Sequence, residues 1–100
     1  MKAAETAKKI IEEFGTRDPV FIAGKSGVKI VYESWHPVTA GEFDKEKKTI
    51  YVNLRAVETG AFGEQTIVAH ELGHFFAREL RLDRPAEEAF AAEFAAALLG

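Results

Sequence analysis

Residues Ala69-His70-Glu71-Leu72-Gly73-His74 set two histidines four positions apart in a largely apolar stretch. Side chains four apart lie one above the other on a helix face, so His70 and His74 can aim two imidazoles at one point. Glu71 sits about 100° further round, where its carboxylate can reach a water held at that point without being a ligand itself. The same spacing limits the fold. At about 100° per residue, Ile67, His70, His74 and Ala77 share one face, and Val68, Leu72, Phe75 and Phe76 take the other. A helix with an apolar back and a ligand-bearing front belongs at the centre of a domain, and the pattern predicts it from about Gly63 to Leu80. Gly73 inside it costs up to ~1 kcal/mol, which predicts close approach of another element there. The chemistry expected of an H-E-x-x-H helix is metal-assisted hydrolysis.

The chain has 100 residues, enough for a single domain over 1–100 near the lower size limit for an unstapled core. It has no cysteine, so any metal must be held by histidine and carboxylate rather than thiolate. A formal net charge of −3 argues against sequence-independent nucleic-acid binding, which needs a basic face. Residues 1–15 alternate in charge and do not read as a signal peptide, and no apolar run reaches the ~20 residues of a membrane span. The cytoplasm is the expected compartment.

Around the motif the sequence predicts an α+β domain. Ala3, Ala7, Ile10, Ile11 and Phe14 recur at helical spacing over Lys2–Phe14, with Gly15 as a stop. Asp18-Pro19 opens a short helix to about Ala23. Val28–Trp35 alternates as a strand, with Val28, Ile30 and Tyr32 on one side, and His36-Pro37 ends it. Two further strands follow, Thr39–Asp44 and Thr49–Leu54. They are joined by a charged turn, and Ile50, Val52 and Leu54 form the buried face of the second. A small three-stranded, mostly antiparallel sheet is therefore expected. Leu82-Asp83-Arg84-Pro85 breaks the motif helix and starts the last one, Ala86–Leu99, with Phe90, Phe94 and Leu98 as its packing row.

A hydrolytic zinc site keeps three protein ligands and an open position. His70 and His74 supply two. Ala77 and Leu80 stand where an H-E-x-x-H-x-x-G-x-x-H extension would place Gly and His, so the third ligand comes from elsewhere. The last helix offers Glu87, Glu88 and Glu93. Glu93 projects away from the packing row towards solvent, while Glu87 and Glu88 flank that row, and periodicity does not choose between them.

Ala69-His70-Glu71-Leu72-Gly73-His74 together with Glu88-Ala89-Phe90-Ala91-Ala92-Glu93-Phe94-Ala95-Ala96-Ala97-Leu98-Leu99 resembles the ImmA/IrrE-type metallopeptidases and the very small soluble gluzincins similar to them. Those proteins pair A-H-E-L-G-H with a glutamate helix of the form E-x-x-A-N-x-F-A-x-x-L-L. Weaker matches fall at Arg17-Asp18-Pro19, the Gly41 strand and Thr49-Ile50-Tyr51-Val52-Asn53, so the resemblance spans most of the chain. It implies a minimal zincin-like fold, zinc held by His70, His74 and Glu88, Glu71 as general base, and a peptide or protein as substrate. Ala92 stands where the pattern has Asn, and the match stops at Gly100, where relatives continue. Two histidines and one carboxylate suit zinc best, with manganese or iron as alternatives.

Two functions are consistent with these residues. The first is a zinc peptidase, in which a strand edge presents an extended peptide to the metal. The rival is a latent, self-inhibited or inactive metal-binding module that acts on a protein partner, with self-association or release of a blocking segment as routes to activity. The intact Glu71 favours the peptidase, because a purely structural site has no use for it. Tyr32, Tyr51 and His36 are read as packing and strand-end residues.

Overall fold

A computed structural model of the chain describes residues 2–36, 38–60 and 62–100. Five helices and three strands follow one another: α1 (Lys2–Phe14), α2 (Pro19–Lys25), β1 (Lys29–Glu33), β2 (Gly41–Asp44), β3 (Thr49–Asn53), α3 (Leu54–Glu58), α4 (Glu64–Ala77) and α5 (Arg84–Leu99). The class is α+β, as the periodicity implies. Among the described residues, no helix is long and apolar enough to cross a membrane.

The helix ends follow local chemistry. Asp18 caps α2 by accepting from the Val20 and Phe21 amides, and Pro19 occupies its first turn. Asp83 caps α5 by accepting from the Ala86 amide at 2.9 Å. The motif helix is shorter than the apolar pattern suggests. It ends at Ala77, after which the chain turns and Arg81 takes a left-handed φ of 55°. Arg17 closes the far end of α5, donating from one guanidinium nitrogen to the carbonyls of Ala97 and Leu98 at 3.1 and 3.0 Å. That supplies donors to last-turn carbonyls that have no intrahelical partner.

The sheet corrects one expectation. Its order is β1-β3-β2, with β2 antiparallel and β1 parallel to β3, so it is mixed rather than mostly antiparallel. The hairpin over Asp44–Thr49 fixes β3 against β2. The segment between β1 and β2 crosses the end of the sheet and leaves the central place to β3. Ile50 and Val52 on that central strand are fully buried.

Each strand is also shorter than its apolar pattern, and Leu54 opens α3 instead of ending β3. Asn53 is the reason. Its buried side chain accepts from the amides of Trp35 and Arg55 and donates to the carbonyls of Trp35 and Thr39. One amide thus ends β3, caps α3 and anchors the crossing segment, with its hydrogen-bonding capacity filled. Tyr32 lies on the core side of β1 in register with Val52, yet at the sheet edge it is 44% exposed. Its hydroxyl donates to Glu64, and that bond is the main reason its pKa is raised to about 12. His36 is described, whereas the strand-ending role read for Pro37 falls outside the described residues.

The core stacks the sheet on α4, α4 on α5, and α5 on α1. Phe90, Phe94 and Leu98 are buried, as is the α4 back formed by Val68, Leu72 and Phe75. Gly73 has the role its cost implies. A Cβ there would lie 2.6 Å from the Ala91 Cα and 3.0 Å from the Ala91 carbonyl oxygen. The two helix backbones therefore meet at this point, and α5 is held against the histidine helix.

Candidate metal centre

The contact at Gly73 and Ala91 places the first turn of α5 beside the front of α4. His70 Nε2 lies 3.3 Å from one Glu88 oxygen, and His74 Nε2 lies 2.9 Å from the other. One ligand atom from each of His70, His74 and Glu88 can be chosen so that all lie within 4.8 Å of one another. Ligands about 2.0–2.1 Å from a tetrahedral zinc are separated by roughly 3.3 Å, so the group is close enough to gather round an ion with small side-chain movements. Of the two glutamates that periodicity left open, Glu88 is the one that belongs to this group. Glu93 is exposed on the opposite side of α5.

Glu87 does something else. Its carboxylate lies 3.3 Å from His74 Nδ1. When Nδ1–H donates to it, the Nε2 lone pair turns towards Glu88 Oε1. That lone pair and the Glu88 carboxylate are then two donors directed at the same place. This is the carboxylate–histidine arrangement that orients ligand imidazoles in zinc sites. On periodicity alone Glu87 and Glu88 are alternatives. Being adjacent, they point about 100° apart on α5 and reach the two nitrogens of one ring.

Glu71 is 8% exposed. Burial pushes its carboxyl up to about 7, the neighbouring His74 pulls it down, and Glu88 and Glu42 add to the rise. It borders β2. A Cβ at Gly41 would come within 3.2 Å of Glu71 Oε2 and 2.6 Å of Ile67 Cγ2. The absence of a side chain at Gly41 thus gives the carboxylate its place. The signal for this was in the sequence, as a glycine on the inward face of a strand.

Two concave regions flank the group and share Thr39, Gly41, Glu71 and Glu88. The larger, about 740 Å³, extends along Glu42 and Phe43 to Arg78 and Arg84. The smaller, about 310 Å³, is bounded by Phe62, Thr66 and Ile67. β2 runs along both, and its edge away from β3 has no strand partner among the described residues. Neither Tyr32 nor Tyr51 lines either region.

Comparison of the chain with protein-family models, with curated proteins and with solved structures returned no match.

Proposed function

We propose that the chain is a zinc-dependent peptidase of the gluzincin type on a minimal zincin-like scaffold, similar to the ImmA/IrrE-type metallopeptidases. The observation that carries this reading is a His-His-Glu group with three protein donors, set beside the buried carboxylate of Glu71, which lies outside the group and faces the same groove. Purely structural zinc sites close with four protein ligands, whereas hydrolytic ones keep three and an open position.

In this reading His70, His74 and Glu88 hold the metal, and Glu87 fixes the His74 tautomer. Zinc in such a site supplies Lewis-acid polarisation of a carbonyl and acidifies water. Glu71 takes the proton from the attacking water and passes it to the leaving amine. Its raised pKa suits a group that must both accept and return a proton near neutrality, and a bound cation beside it draws that pKa downward. The free edge of β2 supplies backbone donors and acceptors to an extended peptide, which addition to a sheet edge would align across both concave regions.

Incubating the zinc-loaded chain with a peptide library and reading products by mass spectrometry tests the proposal. Hydrolysis is expected in the wild type and absent in Glu71→Gln at equal zinc content. Zinc bound without any hydrolysis would favour the latent or inactive metal-binding module instead.

A further inference from the structure

The larger concave region carries three cations, Lys45 from the β2–β3 turn, Arg78 after α4 and Arg84 at the start of α5. None forms an ion pair among the described residues, where all three ion-pair contacts join His70 or His74 to Glu87 or Glu88. The carboxylates of the same region are largely committed. Glu88 and Glu87 face the imidazoles, and Glu71 is buried, which leaves Glu42 of β2 as the exposed carboxylate that shares the region with the three cations.

Arg78 is fixed in place. One of its terminal nitrogens donates to the Phe75 carbonyl at 2.8 Å, and its guanidinium carbon sits 3.9 Å from the Phe75 ring centroid. A stacked, half-buried guanidinium with free N–H groups in a concave wall is organised in advance for a carboxylate. The smaller region has Phe62, half-exposed, and no cation.

We infer that the Lys45–Arg78–Arg84 wall is a subsite for a peptide-borne carboxylate, giving the groove an acidic preference on one side of the metal centre and an apolar one on the other. The inference rests on the peptidase reading for its class of ligand, a peptide. The carboxylate comes from an Asp or Glu side chain or from a peptide C-terminus. Both present the same two oxygens to Arg78, and the experiment separates them.

The test is binding, read by ¹H–¹⁵N spectra of the full chain, zinc-loaded and chelator-treated. Three acetylated tetrapeptides are titrated: Ala-Ala-Asp-Ala amide, Ala-Ala-Asn-Ala amide, and Ala-Ala-Ala-Ala with a free C-terminus. A carboxylate held by charge-assisted hydrogen bonds is expected to tighten binding about tenfold over the Asn peptide. The Arg78 and Arg84 side-chain signals should shift, and the preference should collapse in Arg84→Gln and in Lys45→Gln. Those two variants keep the Arg78–Phe75 stack intact, so a folding defect in Arg78→Gln does not blunt the test. Whichever carboxylated peptide gains identifies the source. Equal affinity for all three peptides, or a preference that survives both variants, overturns the inference. Zinc content and hydrolysis are scored separately. A carboxylate preference without zinc or turnover removes the peptidase reading alone, and turnover without the preference removes this subsite alone.

Discussion

At the scale of single residues, the proposed centre divides between two glutamates the work that sequence spacing left undivided. Glu87 is expected to orient His74 and Glu88 to ligate. Glu87→Gln should therefore retain metal with affinity lowered by about 10–100-fold, measured by competition with a chromophoric chelator. Glu71 has its own signature. Its folded-state pKa of about 7 lies above the ordinary 4.5, so the folded chain holds that proton more tightly than the unfolded one. The resulting stabilisation is complete below pH 4.5 and is lost as pH rises through 7. For the metal-free chain this amounts to a loss on the order of 3 kcal/mol between those limits. Urea unfolding at pH 5 and pH 8 should show that loss in the wild type, and Glu71→Gln should remove most of the slope.

At the scale of elements, two contacts set where the site can be. Gly73→Ala drives a Cβ into the Ala91 backbone and should cost roughly 1–3 kcal/mol. Gly24→Ala in α2 meets nothing within 4 Å and should stabilise by about 0.5–1 kcal/mol. Thermal unfolding of the pair separates packing from helix propensity. Asn53→Ala leaves two carbonyls and two amides without their partner, and about 2–4 kcal/mol of lost stability is expected in urea titrations.

Four of the five helices were legible in the sequence because caps and apolar spacing are local: Asp18, Asp83 and the Phe90/Phe94/Leu98 row each act within a few residues. The histidine pair and Glu71 were legible for the same reason. Strand partners were not, since alternation states which residues face inward and not which strand lies alongside. The short helix α3 was hidden because Val52-Asn53-Leu54 continues the β3 alternation while the Asn53 side chain caps the turn that ends it. Arg78 gave no signal, its role depending on a carbonyl and a ring supplied by Phe75.

At the scale of the whole molecule, the candidate metal centre joins the two longest helices. His70 and His74 come from α4 and Glu88 from α5, so an ion bound there bridges them and stabilises only the folded chain. Zinc at a hundred times its dissociation constant should add about 2.7 kcal/mol to unfolding, seen as a rise in melting temperature that His74→Ala abolishes.

Metal content after purification without added metal tests the three-ligand centre most directly, measured on the wild type, His74→Ala, Glu88→Ala and Glu87→Ala. About one zinc per wild-type chain is expected, lost in His74→Ala and Glu88→Ala and still present, held less tightly, in Glu87→Ala. A wild-type chain that binds no metal even when zinc is offered, or one that keeps its zinc in Glu88→Ala and loses it in Glu87→Ala, would contradict the centre described above.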